Sequence, residues 1–161
     1  TDVGKGAIYA WETVIRIPEN TAMQAIQVQD YMKRHPVTFK ADDSIFDAIE
    51  KLLSSNLTGG PVIDEHKHLI GFISEQDCIA KGLEASYHCE RVAQVNEFMR
   101  KDVLTVKPQD GIIEVAQQML QAKPKIYPVV DDAGHLVGII HRRDVLRCIE
   151  AQLRSCFKTA S

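Results

Sequence analysis

Apolar and polar residues follow each other along this chain in an order that occurs twice. The stretches SIFDAIEKLLSS (residues 44–55) and GIIEVAQQMLQA (residues 111–122) carry apolar residues at helical spacing, which predicts two amphipathic helices. Each stretch follows an aspartate, Asp43 or Asp110, which we interpret as the helix N-cap. Each is followed by two short apolar runs around a polar turn, PVIDEHKHLIGFI and PVVDDAGHLVGII, and these predict two β-hairpins.

The two halves align without a gap when the chain is shifted by 67 residues, which pairs Met32 with Met99 and Asp77 with Asp144. Such a match indicates an internal duplication. Each copy is predicted to run strand, helix, strand, strand, helix, with short first strands at 37–39 and 104–106. One unit of about 60 residues has a marginal core. Two β-α-β-β-α units should therefore pack sheet to sheet, with pseudo-twofold symmetry, into one α+β module.

Four segments follow from this repeat. They are an N-terminal extension (1–27), a first repeat (28–93), a second repeat (94–150) and a C-terminal helical tail (151–161). The apolar stretch AIYAWETVIRI at 7–17 has no clear period, and it could pack on the module or on a second chain. The second helices are expected at about 74–81 and from Arg142 to Leu153, with continuation to Phe157.

Composition narrows the class of protein. The chain has 161 residues, 45% of them hydrophobic and 25% charged, which is typical of a globular protein with a real core. A net charge of -3 and a pI near 6.0 argue against nucleic acid as a partner. We found no apolar run long enough to span a membrane and no leader, so the expected location is cytoplasmic. The four cysteines form no Cys-x-x-Cys pair, which favours reduced thiols over disulfides or zinc.

The order of motifs in each copy resembles that of the tandem cystathionine-β-synthase (CBS) domain pair, the Bateman module. The motifs are V-x-T or L-x-T-V, a helix, P-V-[IV]-D, H-L-[IV]-G, and Gly-apolar-apolar-[Ser/His]-x-x-Asp. The resemblance covers residues 28–150. It implies a regulatory module that binds adenosine-containing ligands in the cleft between repeats, with no catalysis and no required cofactor.

The resemblance also implies two ligand sites. In the first, Asp77 would hold the ribose hydroxyls and Ser74 would meet phosphate; Asp144 and His141 take these places in the second. The first, favoured site comprises Thr38, Thr58, Gly59, Gly60, Pro61, Ser74 and Asp77. The second, weaker site comprises Thr105, Ile126, Tyr127, Pro128, His141, Arg142 and Asp144. The alternative without a ligand is a capping box, in which Ser74 and Asp77 only cap a helix.

The two sites are predicted to differ. The glycines of Thr58-Gly59-Gly60 leave room for a flat base, whereas Tyr127 could stack on a purine, fill its pocket or serve as a core aromatic. His141 departs from the usual Ser or Thr. Arg142 and Arg143 could supply the charge for a phosphate instead, and the alternative is that they are solvated residues at the start of a helix.

Charge near the first site bears on which ligand it takes. Glu75 beside the first site favours AMP or another lightly charged ligand over ATP, unless arginines of the opposite repeat reach across. The basic pairs 33–34 and 100–101 match between repeats and are interpreted as solvated charge, with a phosphate or partner contact as the alternative.

The predicted function is a sensor for AMP, ADP, ATP or S-adenosylmethionine that works as a homodimer and signals to an unidentified regulated protein. The alternative is a ligand-free dimerisation or docking module. An enzyme is not expected, because no spacing marks an activated nucleophile or a metal centre.

Overall fold

A computed structural model describes residues 22–87, 91–121 and 124–158 of the chain, and in both repeats a helix, two strands and a second helix follow each other as predicted. The first repeat contains β1 (Phe39–Lys40), α1 (Ile45–Ser55), β2 (Gly59–Ile63), β3 (Leu69–Ser74) and α2 (Glu75–Tyr87). The second repeat contains α3 (Ile112–Gln121), β4 (Ile126–Val130), β5 (Leu136–His141) and α4 (Arg142–Lys158). Helix α4 is thus the single long helix expected from the apolar spacing. The N-terminal stretch 7–17 lies outside the described residues.

Both predicted hairpins are confirmed, since β2 pairs antiparallel with β3 and β4 with β5. In the first repeat β1 adds a parallel strand beside β2. The strand predicted at 104–106 is reduced to a single bridge between Val106 and Val129. The α+β class is confirmed, with one sheet of three strands and one of two.

The aspartates before α1 and α3 have a different role from the one predicted. Helix α1 is capped by Ser44, whose Oγ accepts a hydrogen bond of 3.1 Å from the third N–H of the helix. The carboxylate of Asp43 accepts from the N–H of Lys40 at 2.9 Å, and that of Asp110 from Lys107 at 2.8 Å. The N-cap prediction was wrong because each short side chain closes the turn that precedes its helix.

The two hairpin turns meet each other near the pseudo-twofold axis. Lys67 and Gly134 adopt left-handed backbone angles there, with φ of 64° and 86°. The backbone N–H of Leu136, the residue after His135, donates a hydrogen bond of 2.8 Å to the carbonyl of Lys67. The backbone N–H of Leu69, the residue after His68, donates one of 3.1 Å to the carbonyl of Gly134. The two imidazoles stack with their centroids 4.3 Å apart. The repeats are therefore joined through main chain and side chains at this point.

Two hydrophobic cores lie on either side of this axis, and each includes residues from the segment that precedes the other repeat. Val28 is fully buried in the core of the second repeat, together with Val106 and Val129. Val95 is fully buried in the core of the first repeat with Phe39. The packing units therefore differ from the covalent repeats.

Gly71 of β3 and Gly138 of β5 are the points at which these exchanged segments touch the sheets. A Cβ at either position would lie within 2.8 Å of a methionine sulfur of the exchanged segment, which is too close for any other residue. One residue further along, Arg100 pairs with β3 and Lys33 with β5 through two backbone hydrogen bonds each. These contacts bring a basic residue to the end of each hairpin.

Candidate functional site

The first candidate site is formed where β3 ends and α2 begins. Oδ2 of Asp77 accepts hydrogen bonds from the backbone N–H of Ser74 at 3.0 Å and from its hydroxyl at 2.8 Å. The N–H of Asp77 donates in return to the Oγ of Ser74 at 3.2 Å. The capping box considered as the alternative interpretation is therefore formed. It uses only one of the two carboxylate oxygens of Asp77.

The other oxygen of Asp77 faces a cation from the exchanged segment. Nε of Arg100 lies 3.5 Å from Oδ1 of Asp77. The Asp77 side chain is 16% exposed and that of Arg100 is 61% exposed, so a mostly buried carboxylate faces a mostly exposed guanidinium. Arg100 reaches this place because its backbone pairs with Phe72 of β3. Its interpretation as solvated charge was therefore incomplete.

The residues before Pro61 lie next to this carboxylate. Gly59 pairs with Ser74 across the hairpin, and the carbonyl of Thr58 accepts the N–H of Glu75 at 2.9 Å. The structure thus brings Thr58, Gly59, Ser74 and Asp77 together. It also shows that two N–H groups of the first turn of α2, those of Glu75 and Asp77, are already bonded.

Aromatic rings lie close to the positions that a Cβ would take at Gly59 and Gly60. A Cβ at Gly60 would lie 2.6 Å from the ring of Phe39, and one at Gly59 would lie 2.9 Å from the ring of Phe72. Both glycines are needed for packing within the first repeat, and Pro61 is fully buried beside them. The sequence could not show this because the ring contacts join distant positions.

Thr38 and Thr105 lie in corresponding segments. The carbonyl of Thr38 accepts a hydrogen bond of 2.9 Å from Nζ of Lys51, whose ammonium group also lies 5.1 Å from the centre of the Phe39 ring. Thr105 is exposed. The main chain at Thr38 is therefore engaged from helix α1.

The second site has the same backbone arrangement, but both oxygens of its carboxylate accept hydrogen bonds within the protein. Oδ2 of Asp144 accepts the N–H of His141 at 2.8 Å, and Oδ1 accepts from the guanidinium of Arg147 at 2.6 Å. The Asp144 side chain is only 2% exposed. Both of its oxygens are used within α4 and at its start.

His141 replaces the serine of the first site and is itself half-buried. Its Nδ1 lies 3.4 Å from Oδ2 of Asp144, and this buried nitrogen has no hydrogen-bond partner among the described residues. Burial lowers the pKa of His141, although the Asp144 carboxylate acts in the opposite direction. Arg142 is exposed, and the cation on Asp144 is Arg147.

Tyr127 is a core aromatic in this structure. It is 1% exposed and packs in the second core with Val106, and its neighbours Ile126 and Pro128 are buried as well. Its hydroxyl has no hydrogen-bond partner among the described residues, and burial raises its pKa. In the first repeat Phe39 supplies a large ring and its neighbour Gly60 is small. In the second repeat the sizes are reversed, because the ring belongs to Tyr127 and the smaller residue is Val106.

Two stretches of the chain match a single family description. The family is the CBS domain, and it matches residues 28–84 and 95–151. The chain belongs to the CBS domain family.

Two of the curated proteins that this chain matches are much longer than the chain. An L-aspartate semialdehyde sulfurtransferase from Methanocaldococcus jannaschii is 32% identical over 120 residues, which are 74% of this chain and 22% of that protein. An inosine-5'-monophosphate dehydrogenase from the same organism is 29% identical over 126 residues, 78% of this chain and 24% of the relative. The chain therefore spans about a quarter of the length of these two relatives.

Solved CBS pairs correspond in length as well as in fold. CBSX2 from Arabidopsis thaliana, solved in complex with AMP, is 30% identical with a TM-score of 0.70, covering 80% of this chain and 98% of that one. An acetoin utilization protein from Vibrio cholerae is 32% identical with a TM-score of 0.73, covering 83% and 96%. A CBS pair in complex with 5'-methylthioadenosine and S-adenosyl-L-methionine is 27% identical with a TM-score of 0.66, covering 80% and 98%.

One residue at the candidate sites of this CBS pair, Arg147, was missed in the sequence, and the role of another, Arg100, was left open between solvated charge and a phosphate or partner contact. Arg147 stands three residues after Asp144, a spacing that pairs charges on one face of a helix, so it could have been found. Arg100 was visible as part of a basic pair repeated in both halves. Its proximity to Asp77 depends on the exchange of segments between the cores, which has no local signal.

Other kinds of site are not found in the part of the CBS pair that the structure describes. Within residues 22–87, 91–121 and 124–158, no group of three or more His, Cys, Asp or Glu side chains is arranged to hold a metal ion. Across the same ranges, none of the helices has the length and apolar character needed to cross a membrane. Cys78 and Cys148 are buried free thiols.

Proposed function

We propose that this CBS pair is a regulatory module that binds one adenosine-containing ligand at the Asp77 site. The observation that carries the proposal is the difference between the two carboxylates, because the Asp77 side chain is 16% exposed and the Asp144 side chain is 2% exposed. Related CBS pairs solved with AMP, and with 5'-methylthioadenosine and S-adenosylmethionine, support this class of ligand. The module itself would carry out no catalysis.

The ribose would bind to Oδ1 of Asp77. A carboxylate can accept the hydrogens of two neighbouring hydroxyls, and hydrogen bonds to a charged group contribute about 1.5–3 kcal/mol each. The Ser74 contacts occupy Oδ2 alone, so the diol does not have to break the cap. Arg100 would have to move, which its largely exposed side chain permits.

The phosphate would bind to Arg100. The start of a helix attracts anions through its unbonded N–H groups, but those of Glu75 and Asp77 are occupied. The displaced guanidinium is the nearby donor, and it can hold a phosphate through two parallel hydrogen bonds. With one arginine and the acidic Glu75 at the site, AMP is favoured over ADP, ATP and S-adenosylmethionine.

Ligand binding would change the relative orientation of the repeats, since a ligand shifts an equilibrium toward the conformation it binds best. A separate protein or another part of a longer chain would respond to this change in orientation. We expect a homodimer that uses the exposed apolar residues of α1 and α2. These are Phe46, Leu53, Ile79 and Leu83.

A second candidate function is a ligand-free dimerisation or docking module. The complete capping box between Ser74 and Asp77 favours it, because this geometry needs no ligand to explain it. In that case the Asp77 region would only stabilise the start of α2.

Calorimetric titration with AMP, ADP, ATP and S-adenosylmethionine tests the proposal. We expect saturable binding of about one equivalent of AMP, lost in Asp77→Asn and retained in Asp144→Asn. Arg100→Gln should weaken the binding of AMP more than the binding of adenosine. Lys101→Gln, which removes the same charge from the neighbouring exposed position, should change neither affinity. No heat with any ligand at millimolar concentration would support the docking module.

A further inference from the structure

An apolar cavity lies between helices α3 and α4 of the second repeat. Its volume is about 220 Å³. Ile113 and Leu120 form one wall, Ile149 the other, and the buried Cys148 contributes to the lining. An apolar cavity of about 150 Å³ is large enough to bind benzene, so this one can admit a large aromatic side chain.

The first repeat does not have the same apolar surface. The positions that correspond to Cys148 and Ile149 are Lys81 and Gly82, and Lys81 forms an ion pair with Glu84. The cavity is therefore a property of the second repeat and not of the duplicated fold. Leu120 at its rim is 62% exposed, which leaves a large apolar side chain uncovered beside the opening.

The described chain begins at this cavity. Met23, the second described residue, contributes to the lining. The next residues are fixed beside the start of α3, because Gln27 forms a bridge with Gly111 and the carbonyl of Ile26 accepts the N–H of Ile112 at 3.0 Å. Residues 1–21 therefore join the described structure at the edge of the cavity.

The segment that precedes Met23 has the composition such a cavity requires. The stretch AIYAWETVIRI at 7–17 is mostly apolar and contains Trp11, the single tryptophan of the chain. Five residues lie between Ile17 and Met23, so six Cα–Cα steps of about 3.3 Å can span about 20 Å. That exceeds the length of the ten-residue helix α3, which is about 15 Å.

We propose that the segment Ala7–Ile17 of the same chain docks on α3 and α4, with the indole of Trp11 in the cavity. Tethering favours this occupant, because a short linker gives an effective concentration on the order of millimolar. The docked segment would cover the apolar rim of the second repeat and leave the exposed residues of α1 and α2 for another contact. This proposal does not depend on ligand binding at Asp77.

Fluorescence of the whole chain tests this directly, since only Trp11 contributes tryptophan emission. We expect emission at the short wavelength of a buried indole and several-fold protection from acrylamide, both unchanged on dilution. Leu120→Glu should move the emission to longer wavelength and remove the protection. The matched control is Leu53→Glu, at the corresponding position of the first repeat and 76% exposed, which should leave the emission unchanged.

Three outcomes would overturn the proposal. One is solvent-exposed emission in the unaltered protein, and another is buried emission that Leu120→Glu does not change. The third is protection that is lost on dilution, which would mean that the segment docks on a second copy. Circular dichroism checks that Leu120→Glu is folded; should it unfold, Ile113→Ser tests the same wall with a smaller change.

Discussion

The carboxylates Asp77 and Asp144 occupy corresponding positions in two copies of one fold, yet their surroundings differ. Each lies in the first turn of a helix that follows a hairpin, and each accepts the N–H of the residue three positions before it. Asp77 is bonded to a serine and forms an ion pair with Arg100. Asp144 is buried under Arg147.

The difference shows that a duplicated backbone conserves the position of a group without conserving its availability. The residue that corresponds to Arg147 in the first repeat is Ala80, and the one that corresponds to His141 is Ser74. With these two exchanges, the Asp144 side chain is 2% exposed and the Asp77 side chain is 16% exposed. A ligand that needs a free carboxylate should therefore distinguish the two copies.

The largest expected effect concerns the position of the large aromatic ring, which differs between the two cores. Tyr127→Gly should lower the free energy of unfolding by about 3–5 kcal/mol, as removal of a buried aromatic ring does elsewhere. The double variant Val106→Phe with Tyr127→Gly copies the Phe39 and Gly60 arrangement and should recover part of the loss. Urea denaturation measures both. A double variant as unstable as the sum of the single changes would contradict the idea that the two arrangements are equivalent.

Ligand affinity gives the next effect. Asp77→Asn should weaken AMP binding by about 10–100-fold, which corresponds to the loss of one or two charged hydrogen bonds. Asp144→Asn should change it by less than about twofold. Titration calorimetry measures both, with Ser74→Ala as a test of the cap. Equal losses at Asp77 and Asp144 would show that the two sites are not distinguished.

The third effect is the stability that Arg147 gives to Asp144. Arg147→Ala should destabilise the protein by about 1–2 kcal/mol, because a buried carboxylate loses a charged donor. Arg154, also on α4, forms an ion pair with the exposed Glu150, so Arg154→Ala should cost less than about 0.5 kcal/mol. Denaturant unfolding compares the two, and similar losses would mean that the burial of Asp144 has no energetic consequence.

The smallest expected effect is a dependence of the stability on pH. It arises from His141, and the serine at the corresponding position of the first site cannot produce it. Because burial lowers the pKa of His141, the unfolded chain binds more protons than the folded one as the pH falls below about 6.5. Stability should therefore decrease as the pH falls through this range. His141→Ser should flatten the curve. Identical curves for His141→Ser and the unaltered protein would be the contrary result.

The features that the sequence predicted are those with a local signal. Helical spacing, the alternation of the hairpins and the polar turns between their strands depend on neighbouring residues, and all are present in the structure. The N-caps at Asp43 and Asp110 were wrong because two local roles compete for the same side chain. The position of the Phe39 ring and the approach of Arg100 to Asp77 depend on tertiary contacts that no local pattern records. The segment boundaries and the ligand residues remain predictions.

The exchange of segments between the cores also imposes an order on synthesis of the chain. The first repeat can complete its core once residue 99 has left the ribosome, because Val95 and Met99 belong to it. Val28 and Met32 emerge much earlier, but their core contains Cys148. During translation these early apolar residues cannot be buried in their core until almost the whole chain has been synthesised, so they stay exposed at a stage when a chaperone can bind them.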